Sequence, residues 1–180
     1  MRITMALLPI IIAPDARLKV TCDPVENVDA SIVTLLDDML ETMYTAPGLG
    51  LAAPQVDVQK RLLVVDVSRD PDNRDPKFLI NPELLQVSED LFKYEEGCLS
   101  LPEHYAEVER PAKILVRYLG RDGKAKELEA EDILATVIQH EMDHLDGVLF
   151  VDHLSSLKRS LILRKLRKLK KQKAKEAAEA

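Results

Sequence analysis

His140 and His144 stand four residues apart in the run Gln139-His140-Glu141-Met142-Asp143-His144-Leu145, with Glu141 beside the first. On a helix, positions four apart lie about 40° from each other around the axis and one turn apart along it, so both imidazoles can reach one ion. Glu141 is turned about 100° away, near enough to touch a water on that ion without binding it. The mechanical reading of H-E-x-x-H is two neutral imidazole ligands plus a general base. The helix that must carry them is also visible. Ile133, Val137, His140 and His144 follow one another at steps of four, three and four, with Leu134, Ile138 and Leu145 on the adjoining face. Gly147 supplies a stop, because glycine tolerates the left-handed conformation that ends helices. An amphipathic helix with two incidental histidines has the same spacing, so the pentamer needs support from elsewhere.

A catalytic site of this type takes three protein donors and keeps one position open. One metalloprotease pattern, H-E-x-x-H-x-x-G-x-x-H, is followed as far as Gly147 and then fails at Phe150, where a histidine is needed. The third donor must come from another part of the chain. His104 follows a Pro-Glu turn and reads as exposed; His153 lies beyond the helix stop and reads as a surface or capping residue. Cys98, after Gly97 and before Leu99 at the end of a strand, ranks first on donor chemistry, although a free cysteine is by default a small buried hydrophobe.

A chain of 180 residues suits one domain with a sizeable core and an appendage. Its 46% hydrophobic and 31% charged content is that of a globular protein. No apolar run approaches the ~18–20 residues that span a bilayer. Residues 6–13 are apolar but have only Arg2 before them and no convincing cleavage site, which argues against a signal peptide. The expectation is a cytoplasmic protein whose Cys22 and Cys98 are reduced. From Lys158 to the end there are ten Lys/Arg and two Glu, a net +8; the whole chain carries −6, so residues 1–157 carry −14. An acidic body bears a basic tail.

The remaining elements follow from pattern. Residues 3–25 read as an irregular arm punctuated by Pro9, Pro14 and Pro24. Residues 27–45 carry Val28, Ile32, Leu35, Leu36, Met39 and Met43 at helical spacing, and Pro47 closes the helix. Residues 48–55 (GLGLAAPQ) let backbone come close to a metal or a substrate chain; a phosphate loop is disfavoured, since no Lys-Ser/Thr follows the glycines. Strands are expected at 61–67, 78–87, 91–95, 105–110 and 113–119, with 88–90 a polar turn and 120–123 a hairpin turn into 126–129. The fold class is α+β, mostly antiparallel strands packed around a central metal-binding helix, followed by a basic C-terminal helix.

Three segments in this order, 48–55 (GLGLAAPQ), 96–100 (EGCLS) and 139–145 (QHEMDHL), resemble the three signature motifs of the bacterial peptide deformylases, and the similarity runs over nearly the whole chain. The resemblance implies that Cys98, His140 and His144 are the metal ligands and Glu141 the general acid/base. It implies that the Gln55 amide and the Leu99 N–H donate to the oxyanion, and that Leu49, Gly50 and Gly97 pair with an extended peptide. It implies one ion per chain, Fe2+ in the cell with Zn2+, Ni2+ or Co2+ as substitutes. The substrates it implies are N-formylated nascent peptides, which lose the formyl group from methionine as formate. Arg110 matches a position that pairs with the motif glutamate, here Glu96. Tyr105 departs from members that carry arginine near the substrate mouth. For the wall of the methionine pocket, Val137 and Ile133, on the helix face leading to His140, are the candidates, with plain core packing the alternative.

Domain organisation is expected as a catalytic unit over 1–157 and a basic helical extension over 158–180. In that extension Leu154, Leu157, Leu161, Ile162, Leu166 and Leu169 fall near helical spacing among many cations. The helix is expected to dock at its start and to project cations later, either simply solvated or against ribosomal RNA near the nascent-chain exit, with salt-sensitive binding. Neither DNA nor a membrane is an expected partner. The rival functions are a metallopeptidase that cuts peptide bonds and a non-catalytic RNA-binding protein with a structural metal.

Overall fold

The central element is the helix α2 (Asp132–Leu145), on which ten of fourteen residues are buried, from Ala135 to Leu145. A helix buried on nearly every side is a core helix, and this explains why its polar residues must all find partners or line a cavity. It ends as the glycine predicts. Gly147 has φ +71°, and a Cβ there would lie 2.6 Å from the backbone of Lys19. Both the conformation and the space therefore demand glycine.

The computed structural model describes residues 6–179, so the first three residues of the expected arm lie outside the described residues. Among the described residues seven strands form two antiparallel sheets: β1 (Gly50–Ala52), β2 (Leu62–Val65), β3 (Lys77–Val87), β4 (Leu91–Cys98), β5 (Leu101–Pro111), β6 (Lys113–Leu119) and β7 (Ala125–Glu131). The larger sheet runs β1-β2-β3-β6-β7, and β4 pairs with β5 alone. With α1 (Ala30–Thr45), α2 and α3 (Ser156–Glu179) this is an α+β fold. The expected polar turn at 88–90 joins β3 to β4. They follow each other across a three-residue turn, yet they do not pair, because β3 has β2 on one edge and β6 on the other. β4 also runs on to Cys98, three residues beyond the expected end.

Burial follows the period of each element. All four residues of β2 are buried. Leu63 and Val65 pack with Val137, Ile138 and Leu145 of α2, while Leu62 and Val64 pack with Leu36, Met39 and Met43 of α1. Met39 and Met43 are thus core residues. Asp29 caps α1, its carboxylate accepting from the Ser31 and Ile32 N–H groups, so the helix begins at Ala30, three residues later than its apolar periodicity suggested.

A third cluster joins the arm, β5 and α3 through Ile11, Leu18, Leu101, Phe150, Val151 and Leu166. α3 docks along its middle more than at its start. Leu166 is fully buried and Ile162 and Leu163 pack beside it, whereas Leu157 and Leu161 are exposed. Farther along, Lys170 Nζ donates to the Ile12 and Pro14 carbonyls at 3.3 and 3.0 Å. Among the described residues no helix is long and apolar enough to cross a membrane.

Candidate active site

Cys98 ends β4, and the register slips there: Gly97 pairs with Tyr105 but Cys98 with Leu101. This bulge turns the thiol toward α2. Cys98 Sγ lies 3.3 Å from His144 Nε2, and the donor atoms of Cys98, His140 and His144 all lie within 4.8 Å of one another. The two imidazoles meet edge to face with centroids 5.1 Å apart, and the Phe150 ring stacks on His140 at 6.1 Å. Phe150, which breaks the metalloprotease pattern, therefore packs against a ligand-type histidine in place of supplying one. Neither His104 nor His153 belongs to the trio. The His104 Nδ1 faces the Pro102 carbonyl at 2.8 Å, and the His153 Nε2 faces Asp143 Oδ2 at 2.7 Å.

A chain of buried polar groups orients His140, whereas His144 Nδ1 is buried with no hydrogen-bond partner among the described residues. His140 Nδ1 is 2.8 Å from Glu96 Oε2. With the Nδ1 proton on that carboxylate, the Nε2 lone pair is left for a cation. Arg110 clamps Glu96 with two bonds, Nε to Oε1 at 2.6 Å and Nη2 to Oε2 at 3.0 Å, and reaches Asp143 Oδ2 with Nη1 at 2.9 Å. The Arg110–Glu96 pair was expected; its extension through Asp143 to His153 was not, since it needs three elements to converge.

The electrostatics follow from this network. Burial would raise the Glu96 carboxyl, but the hydrogen bonds from His140 and Arg110 outweigh it and hold it at about 2. Burial likewise opposes the charge on Asp143, and His153 and Arg110 overcome it. Burial pushes the Glu141 carboxyl up to about 7, into the range of a group that both takes and gives a proton. Desolvation opposes a proton on His140, yet the Cys98 sulfur and the Glu96 carboxylate draw it there. The same two groups would draw a divalent cation. Burial and the neighbouring His140 keep His144 neutral, as a ligand must be.

The donor set fits a metal ion. Donors on a tetrahedral ion with bonds of about 2.0–2.3 Å stand roughly 3.3–3.8 Å apart, within the spread of the trio. Glu141 Oε2 is buried with no hydrogen-bond partner among the described residues, and Glu141 lines the cleft in front of the trio. Gly50 makes room for it: a Cβ there would lie 2.8 Å from Glu141 Cγ and Cδ. Gln55 is pinned from both ends of its amide. Its Oε1 accepts from the Ala52 N–H at 2.9 Å, and its Nε2 donates to Ser100 Oγ at 3.1 Å and points at Cys98 Sγ 3.5 Å away.

The cleft has a volume of about 410 Å³ and runs between Gly48, Leu49 and Gly50 on one side and Glu95, Glu96, Gly97, Cys98 and Leu99 on the other. Among the described residues β1 and β4 each have a partner on one edge only, so the cleft is bounded by two strands that can accept an added chain. Val137 lines it. Ile133, one turn earlier, packs against the first core cluster and is not among the lining residues.

Two imidazoles and a thiol around one point, a buried carboxylate beside them and a strand-edged cleft define a metal-dependent hydrolase acting on an extended chain. The sequence model of the family described as polypeptide deformylase matches residues 7–160. A peptide deformylase of Agrobacterium fabrum is 55% identical over 161 residues, covering 89% of this chain and 95% of its own. The crystal structure of the Ehrlichia chaffeensis peptide deformylase superposes with a TM-score of 0.88 at 39% identity, over 94% of this chain and 99% of that one. The same enzyme in complex with actinonin gives 0.87 at 42% identity, over 91% and 98%. This chain belongs to the polypeptide deformylase family, and it is an enzyme that removes the formyl group from the amino terminus of newly made polypeptides.

Proposed function

We propose that Cys98, His140 and His144 hold the catalytic ion, one per chain, and that the ion in the cell is Fe2+, with Zn2+, Ni2+ or Co2+ able to replace it. The support is a donor set of one sulfur and two nitrogens, which suits several divalent metals and leaves availability to decide. Such an ion supplies a water of lowered pKa and a Lewis acid for the formyl oxygen. Glu141, the buried carboxylate with an unpartnered oxygen, takes the proton of the attacking water. As the formyl C–N bond breaks, it passes that proton to the departing amine, so formate and a free amino terminus result. Gln55 Nε2 and the Leu99 N–H donate to the oxygen on which charge grows, each worth roughly 3–4 kcal/mol by comparison with other oxyanion holes. The rigidity of Gln55, fixed by Ala52 and Ser100, supports this role, because a preorganised dipole costs nothing to reorient.

The peptide lies as an added strand against the backbone of Leu49, Gly50 and Gly97, and Val137 forms part of the wall around the methionine side chain. Residues 1–157 act as the catalytic unit. The basic stretch 158–180 offers its cations to ribosomal RNA, which places the enzyme in the cytoplasm near emerging chains. The observation that carries the reading is the convergence of Cys98, His140, Glu141 and Gln55 on one cleft, with His144 Nε2 3.3 Å from the Cys98 sulfur. The metal-loaded enzyme is incubated with formyl-Met-Ala-Ser and with unblocked Met-Ala-Ser. Formate from the first and no backbone cleavage of either is expected; peptide-bond cleavage, or no formate, refutes it.

A further inference from the structure

Asp66 is a buried carboxylate that the deformylation chemistry does not use. It is 2% exposed, and a hydroxyl and two backbone groups meet it. The Tyr44 hydroxyl donates to Oδ2 at 2.6 Å, the Asp75 N–H to Oδ2 at 3.1 Å and the Ser68 N–H to Oδ1 at 2.8 Å. Burial and the Asp66 carboxylate raise the Tyr44 hydroxyl above its usual range, so it keeps its proton and donates. The Arg74 guanidinium covers the Tyr44 ring, 3.9 Å from its centroid.

The same residue holds the backbone wall of the cleft. Its N–H donates to the Leu49 carbonyl at 2.9 Å, one step beyond the Gly50–Val65 pair, and so carries the β1–β2 ladder outward. Successive backbone groups along a strand point to opposite edges. With the Leu49 carbonyl turned to β2, the N–H and carbonyl of Gly50 turn to the open edge, where a peptide adds. The inner end of β1 leads to Gln55, beside Cys98, and its outer end leads through Gly48 and Pro47 back to α1. Tyr44 stands in the last turn of α1, and the Gly48 N–H donates to the Met43 carbonyl at 2.9 Å. A Cβ at Gly48 would lie 2.8 Å from Leu99 Cδ1. The two walls of the cleft therefore touch there, and the placement of residues 46–49 sets the width open to a peptide beyond its formylated methionine.

Resting on the deformylase reading of this cleft, we propose that Tyr44 and Asp66 are positioning residues for the substrate backbone. Their hydrogen bond ties the end of α1 to the outer end of the β1 edge and keeps that edge at the separation from β4 that an extended chain needs. Neither residue touches the reacting atoms, so the pair governs binding of the peptide beyond methionine and leaves the proton transfers alone. An edge held in place before binding spares the peptide the cost of ordering it.

The test measures kcat and KM for formate release from formyl-Met amide and from formyl-Met-Ala-Ser amide, with the metal-loaded full chain and its Tyr44→Phe variant. This substitution keeps the ring under Arg74 and removes only the hydroxyl. For the longer substrate KM is expected to rise about fivefold with kcat within about twofold, the pattern of lost uniform binding. For formyl-Met amide, which has no residue beyond methionine, kcat/KM is expected to stay within about twofold. Asp66→Asn, of the same size, is expected to show the same split, so the outcome does not hang on one variant. Hydrogen exchange gives a readout apart from activity: in Tyr44→Phe the Asp66 amide is expected to exchange at least about tenfold faster, while the Cys22 amide, which donates to the Leu145 carbonyl, is unchanged. Equal losses on both substrates, or an unchanged KM for the longer one, overturn the positioning role and leave deformylation standing. No formate from either substrate with the unaltered chain overturns both.

Discussion

Replacing Arg110 by methionine removes a buried cation from the centre of the network that orients His140. Arg110 is 5% exposed, and its guanidinium makes three charge-assisted bonds, two to Glu96 and one to Asp143. Removing one member of a buried pair costs roughly 3–5 kcal/mol, because the remaining charge stays buried without compensation. The Glu96 carboxyl sets the pH dependence of this figure, with His140 and Arg110 sharing its stabilisation. The Glu96 carboxyl falls from 4.5 to about 2 on folding, against burial and through His140 and Arg110. At 1.36 kcal/mol per pKa unit that is about 3 kcal/mol. The sign is that of a depressed carboxyl: the stabilisation is complete above about pH 5 and disappears as pH falls through the folded value near 2. Urea denaturation of both proteins with a chelator present, at pH 7 and again near pH 3, measures it. Arg110→Met is expected to be about 3 kcal/mol less stable at pH 7, and the gap is expected to narrow by about half near pH 3. A gap below 1 kcal/mol at pH 7, or one that does not change with pH, refutes the reasoning.

Two further substitutions probe packing around the site. Gly50→Ala places a methyl 2.8 Å from Glu141 Cγ and Cδ and must displace that side chain. It is expected to cost about 1–3 kcal/mol in denaturant and at least about tenfold in formate release, with one ion per chain still bound by metal analysis. Wild-type activity would show that Glu141 need not stay where it is. Leu166→Ala empties a fully buried position between α3 and the arm, and is expected to cost about 2–5 kcal/mol by thermal or urea unfolding. A cost under 0.5 kcal/mol would mean that α3 does not dock there.

The parts legible in the sequence were those with a local cause. α2 showed itself because its apolar stripe, its two histidines and Gly147 lie within one short run, and the capping demand at Gly147 is local. The termination of α1 before Pro47 is of the same kind. Partner choice between strands was not legible: the polar turn at 88–90 says nothing of pairing, and the edges of β3 are taken by β2 and β6, the latter far off in the chain. Cys98 stood out by donor chemistry and by resemblance, while Ser100 as a partner of Gln55, and Asp143 and His153 behind Arg110, depend on elements meeting in space. Val137 and Ile133 share a helical stripe, yet only the first lines the cleft, because a stripe wide enough to pack against the sheet on one side need not open onto the cleft along its whole length. The tail's leucines gave the helix but not its contact face: Leu157 and Leu161 fit the period and remain exposed, and Leu163 packs instead.

The central claim is that Glu141 moves the proton for a reaction centred on Cys98, His140 and His144. Its most direct test is the rate of formate release from formyl-Met-Ala-Ser by Glu141→Gln, in protein shown to retain one metal ion per chain. The account predicts a fall of roughly 10²–10⁴-fold, the size of a lost general acid–base contribution, with the ion still bound. A metal-loaded Glu141→Gln enzyme working within threefold of the wild type would contradict it.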